Sequence, residues 1–110
     1  MQFSQPPIPA RLVDKLAQYP ELIDRLQKVL DDVATRPTRI ITGFERAVDA
    51  LSWRLESFMI EARDELDRME ADADPRLVAA AESKFRLMSQ IGLKQFWIGD
   101  EELWKYFQQA

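Results

Sequence analysis

Residues 41–69, with the sequence ITGFERAVDALSWRLESFMIEARDELDRM, decide the fold of this chain. Apolar side chains recur there at alternating spacings of three and four residues, at Ile41, Phe44, Val48, Leu51, Leu55, Phe58, Ala62, Leu66 and Met69. Such spacing keeps the side chains on one stripe of an α-helix and fits no β-strand. The pattern predicts one long helix over about residues 38–71, roughly 50 Å in length. Because glycine costs roughly 1 kcal/mol relative to alanine within a helix, Gly43 leaves open a later start near Phe44.

Prolines mark the starts of the flanking helices. Pro20 suits the first position of a helix with an apolar stripe from Leu22 to Val33. Asp74 and Pro75 provide an N-cap and a first residue for a helix that ends near Ile91. The buried face of this later helix is expected to contain Leu77, Val78, Ala81, Phe85, Met88 and Ile91.

These elements together predict an all-α fold, a small bundle of four to five helices built around the long central helix in a single domain over residues 1–110. Residues 1–9 are rich in proline and are expected to form an extended lead-in. If the central helix and its successor form an antiparallel hairpin, Glu65 is expected to lie near Lys84. The fold class therefore follows from the helical period and the positions of the prolines.

Trp53 and Ile60 give the central helix a second apolar side. They are seven residues apart, which places them on one helical face, away from the centre of the main stripe. A helix that is apolar on two faces is expected to be buried on both. Either a second copy of the chain covers this side, or Trp53 packs on the C-terminal segment of the same chain. Because symmetric dimers are the commonest oligomers, the prediction is a homodimer that pairs through the long helix.

Aromatic residues are concentrated in the C-terminal segment, defined here as residues 96–110. Large aromatics contribute much of the binding free energy at protein interfaces. Trp97, Trp104 and Phe107 are therefore candidate contacts for a partner protein. The alternative is that the segment packs onto the core of its own chain, since small domains must bury their aromatics somewhere.

Acidic side chains are concentrated in the second half of the central helix. Carboxylates near a helix C-terminus oppose the helix dipole, so their presence there needs a reason. Asp64, Asp67 and Glu70 are candidate contacts for a basic surface on another protein. A solvated acidic face is the alternative interpretation.

The chain contains neither histidine nor cysteine. The commonest general base at neutral pH and the commonest metal ligands are thus missing, so we expect no catalytic residue, no cofactor and no metal site. The net charge of −4 disfavours nucleic acid as a partner. No apolar run approaches the ~18 residues that a membrane-spanning helix needs, and the first residues resemble no signal peptide. The expectation is a cytoplasmic protein that does not bind membranes.

Three functions are compatible with these residues. The first is a non-enzymatic protein–protein interaction module that self-associates through the long helix and also binds an unidentified protein. The second is an acidic inhibitor of another protein, of the antitoxin or immunity type, whose carboxylates occupy a basic surface. The third is a regulator that associates with nucleic acid, which the charge disfavours.

Overall fold

In the computed structural model, which describes residues 5–36, 43–72 and 74–108, every regular element is an α-helix. The helices are α1 (Ala10–Lys15), α2 (Pro20–Thr35), α3 (Gly43–Asp72), α4 (Pro75–Ile91), α5 (Lys94–Trp97) and α6 (Glu101–Gln108). The predicted all-α class and the long central helix are confirmed. Since the 30 residues of α3 extend about 45 Å, this helix accounts for most of the longest dimension of the molecule, 52 Å.

The helix boundaries follow the local sequence signals. Both α2 and α4 begin at a proline, as predicted, and Asp74 caps α4 by accepting a hydrogen bond from the backbone N–H of Arg76 at 3.0 Å. Among the described residues α3 begins at Gly43. The earlier predicted start at residue 38, and Ile41 with it, lie outside the described residues.

Helix α3 is the centre of the bundle, with α2 and α4 packed along it. The ladder residues of α3 that are fully buried are Val48, Leu51, Leu55, Phe58 and Ala62, whereas Phe44, Leu66 and Met69 are partly buried. The helices α2 and α4 contribute Leu22, Leu26, Leu30, Val33, Ala81, Met88 and Ile91 to the core. The apolar stripe therefore faces the neighbouring helices, as its period predicted.

Two polar contacts fix the position of α2 along the α3–α4 hairpin. Arg25 of α2 pairs with Glu61 of α3, with 2.7 Å between Nη2 and Oε2. The residue before α2, Tyr19, lies under the ammonium group of Lys84, with 5.2 Å between Nζ and the ring centroid. Lys84 in turn pairs with Glu65 at 3.2 Å, which confirms the predicted proximity of these two residues. The start of α2 is therefore level with Glu65.

The hairpin extends beyond the start of α2. Full burial ends at Ala62 in α3 and resumes only at Ala81 in α4. The prediction that Leu77 belongs to the buried face is wrong, because its side chain is 46% exposed. Leu77 lies in the first turn of α4, beyond the level at which α2 starts. None of the described helices covers this side of the hairpin there.

The described segments nearest the two termini, residues 5–15 and 94–108, both pack on the bundle. The side-chain amide of Gln27 donates to the carbonyl oxygen of Pro6 at 2.8 Å, and this holds the lead-in against α2. The carboxylate of Asp100 accepts hydrogen bonds from the backbone N–H groups of Leu103 in α6 and Ala10 in α1, both at 2.9 Å. One side chain thus caps the first turns of two helices that are distant in sequence.

Candidate interaction surface

The outer face of α3, opposite its buried stripe, carries two large apolar side chains. Trp53 is 75% exposed and Ile60 is 52% exposed. They lie about two helical turns apart, or roughly 10 Å along the axis. Scattered single apolar residues on a surface are normal, but a nearly uncovered tryptophan aligned with an isoleucine is the kind of pair that interfaces bury. The outer face is therefore the candidate interaction surface.

The charged residues on this face have a regular arrangement. Arg46, Trp53, Ile60 and Asp67 follow one another at intervals of seven residues, so they form a single row along α3. Arg46 is partly buried at one edge of this face and donates a hydrogen bond to the carbonyl oxygen of Val33 at 3.4 Å. The row thus has a basic end, an apolar centre and an acidic end. We call it the outer row.

The C-terminal segment does not cover Trp53. Instead, α6 packs against the first turns of α3, and Ile98 lies beside Phe44 and Val48 in a shallow groove. The alternative in which Trp53 packs on this segment is therefore wrong for the described residues, because these residues contact α3 nearer its start. Within the described part of the chain, Trp53 and Ile60 therefore remain largely exposed.

The three aromatic candidates of the C-terminal segment have different environments. Trp97 is 1% exposed and belongs to the core, in agreement with the alternative in which this segment packs on its own chain, so it is not an accessible contact for a partner. Its indole Nε1–H finds no acceptor among the described residues. Trp104 is 50% exposed on α6. Phe107 is half-buried and packs edge-on to Tyr106, with 5.0 Å between ring centroids. Of these three aromatics, Trp104 is therefore the one with a clearly exposed side chain.

Asp64, Asp67 and Glu70 are all exposed on the second half of α3. None of them forms an ion pair with a Lys or Arg of the described residues. Neighbouring carboxylates differ in this respect, since Glu61 pairs with Arg25 and Glu65 pairs with Lys84. The three candidate carboxylates are therefore exposed and have no cationic partner among the described residues.

The Arg25–Glu61 pair is the best-defined polar interaction between helices. Two nitrogens of the guanidinium group donate to the two carboxylate oxygens, at 2.9 and 2.7 Å, and the guanidinium carbon lies 4.7 Å from the centroid of the Phe58 ring. These hydrogen bonds lower the pKa of Glu61 and raise the pKa of Arg25, although partial burial opposes both shifts. The pair holds α2 against α3 from the rim of the core.

A shallow groove of about 330 Å³ between α2 and α3 has a cationic rim that sequence reasoning missed. Arg25, Lys28 and Arg54 line it, above a floor that includes Val29 and Val33. Arg25 is already paired with Glu61. The three-residue spacing of Arg25 and Lys28 was a signal for one side of this groove, but the contribution of Arg54 depends on how α3 packs against α2. Lys28 is exposed and Arg54 is partly buried, and the acidic side chain of Asp32 also lines the groove.

No three acidic side chains of the described ranges come close enough together to hold a metal ion. None of the described helices combines the length and the apolar character needed to cross a membrane.

Comparisons of the chain with protein-family models, with curated proteins and with solved structures found no match. The fold and its surface therefore define a class of protein, a small helical bundle in which the outer face of α3 is exposed and partly apolar.

Proposed function

We propose that this protein is a non-enzymatic interaction module that self-associates through the outer face of α3. The observation that carries the proposal is the 75% exposure of Trp53 in line with Ile60 on the most central helix of the bundle. Tryptophan is among the residues that contribute most to binding when an interface buries them. A second copy of the chain presents the same face, and a two-fold interface uses one surface patch twice.

The strength of this association follows from the size of the face. A full tryptophan buries about 150–250 Å², and apolar area contributes roughly 25 cal/mol per Å². Each copy thus gains a few kcal/mol from Trp53, from which the cost of losing translational and rotational freedom must be subtracted. We expect a dimer of micromolar rather than nanomolar affinity.

The chain provides a matched pair of tryptophans to test this proposal. Trp53→Ala removes the exposed ring from the outer face, whereas Trp104→Ala removes an exposed ring from α6. Sedimentation velocity should show that Trp53→Ala weakens dimerisation at least about tenfold, while Trp104→Ala changes it little. Circular dichroism should show both variants to be as helical as the wild type. Equal effects of the two substitutions on dimerisation, or no effect of Trp53→Ala, would contradict the proposal.

A second candidate function is supported by the unpaired carboxylates. Asp64, Asp67 and Glu70 are exposed and without an ion pair among the described residues. They can therefore pair with the cationic side chains of a basic protein. In this alternative the chain is an acidic inhibitor of a basic protein, of the antitoxin or immunity type, and the carboxylates speed up association and select the partner.

The two candidate functions respond to different substitutions. A variant with Asp64→Asn, Asp67→Asn and Glu70→Gln should lose a basic partner captured from lysate, whereas Trp53→Ala should retain it. Binding should also weaken steeply as salt is raised, because exposed charges are screened. If a captured basic protein survives the triple substitution at physiological salt, the carboxylates do not form its binding site.

A further inference from the structure

We propose that the two copies pair antiparallel through α3, about a two-fold axis that passes close to Glu56 and Ser57. The proposal rests on self-association through the outer face and specifies its partner as a second copy in one orientation. In this orientation Trp53 of one copy lies against Ile60 of the other, and the same contact occurs a second time across the axis.

The outer row is self-complementary only when the helices run in opposite directions. Counting outward from residues 56 and 57, Trp53 and Ile60 are equally distant from the axis, and so are Arg46 and Asp67. Antiparallel pairing therefore brings Arg46 of each copy near Asp67 of the other. A parallel pair in register instead places Arg46 near its own equivalent and Asp67 near its own equivalent. Like charges brought together in this way are repulsive.

A second row beside the outer row brings charges of both signs close to the axis. Asp49, Glu56 and Arg63 are spaced by seven residues and are all exposed. Antiparallel pairing about the same axis places Asp49 of one copy level with Asp64 of the other and one residue away from Arg63, twice. It also brings the two Glu56 carboxylates toward each other at the axis, which is unfavourable. The orientation therefore rests on the outer row, and Glu56→Gln is expected to strengthen the dimer.

Single-cysteine cross-linking tests the orientation directly, because the natural chain contains no cysteine. With a short bismaleimide, Ser57→Cys should cross-link to itself across the axis. Arg46→Cys and Asp67→Cys should each give little product alone but should cross-link when the two variants are mixed. Ser83→Cys, on the exposed side of α4, measures the background from random collisions.

The possible outcomes separate orientation from self-association. Cross-linking of Arg46→Cys with itself and Asp67→Cys with itself would overturn the antiparallel arrangement while leaving the dimer intact. A dimeric mass with no product above the Ser83→Cys background would show that another face pairs. A monomeric mass at every concentration, with no cross-linked product, would overturn self-association itself.

A charge exchange provides a second test that does not depend on cysteine chemistry. Asp67→Arg places two like charges at each end of an antiparallel dimer and should weaken it, by about tenfold. Adding Arg46→Asp to the same chain restores opposite charges and should recover most of the affinity. In a parallel pair the exchange leaves like charges together at both positions, so a double variant as weak as the single variant would contradict the proposal.

Discussion

The Phe107 ring lies against the backbone of Gly43, so close that a Cβ atom at position 43 would be 2.6 Å from Cδ1 of the ring. This contact joins the last helix of the chain to the first turn of α3. It also explains a glycine at a helix end where the sequence alone showed only a loss of helix propensity. The absence of a side chain at Gly43 is what allows α6 to dock.

Gly43→Ala is expected to destabilise the protein, despite the higher helix propensity of alanine. The added methyl group overlaps Phe107, and overpacking of this kind costs about 1–3 kcal/mol, which exceeds a propensity gain of at most ~1 kcal/mol. Urea denaturation measures the effect, and hydrogen exchange should show reduced protection in α6. Gly99→Ala is the matched control, because no atom lies within 4 Å of the position of its Cβ. A Gly43→Ala protein as stable as wild type would mean that α6 docks elsewhere.

Asp100→Ala is expected to reduce the free energy of unfolding by about 1–2 kcal/mol, because the carboxylate accepts backbone N–H groups from both α1 and α6. Asp100→Asn keeps acceptor capacity and should recover part of the loss. Chemical denaturation checks both values, with Glu102→Ala on the exposed side of α6 as a control. If Asp100→Ala has no more effect than the control, the bridge between the two ends of the chain does not contribute to stability.

Leu55→Ala tests the packing of the central stripe. Leu55 is fully buried at the middle of α3, so the substitution leaves a cavity and should cost about 2–5 kcal/mol. Leu93→Ala removes the same atoms from a side chain that is mostly exposed and should change stability by less than about 0.5 kcal/mol. Similar losses for the two variants in urea denaturation would be inconsistent with the described core.

The Arg25–Glu61 pair predicts a pH dependence of stability. The pKa of Glu61 is lower in the folded chain than in the unfolded chain, because Arg25 donates hydrogen bonds to the carboxylate. The contribution of the pair is therefore complete above the unfolded glutamate pKa of about 4.3, and it is lost as pH falls through the lower folded value. Since both side chains are partly exposed, this contribution is at most about 1 kcal/mol.

Glu61→Gln isolates this contribution. The difference in unfolding free energy between wild type and Glu61→Gln should be constant between about pH 6 and pH 8 and should decrease below about pH 4. Denaturation series at several pH values measure it. A difference that grows as pH falls would have the wrong sign for a glutamate stabilised in its charged form.

The sequence predicted the helices but not how far each one is covered. Pro20, Asp74 and Pro75 are local signals, so α2 and α4 begin where expected. The period of the ladder likewise predicted which side of α3 is buried. Leu77 was misjudged because a helical period indicates a face, but not whether a neighbouring helix extends far enough to cover it.

The candidate surface was predictable only in part. The spacing of Trp53 and Ile60 identified a second apolar side of the central helix, and the structure leaves that side open. The bridging carboxylate of Asp100 and the cationic groove between α2 and α3 arise from contacts between residues distant in sequence. No single-helix pattern contains that information, which depends on how the helices pack.

Self-association is tested most directly by the molar mass of the wild-type chain in solution. Sedimentation equilibrium from about 1 µM to about 500 µM spans the range in which a small helical interface is expected to dissociate. We predict that the mass rises with concentration from 12.8 kDa toward twice that value. A mass of 12.8 kDa throughout this range would contradict self-association through α3.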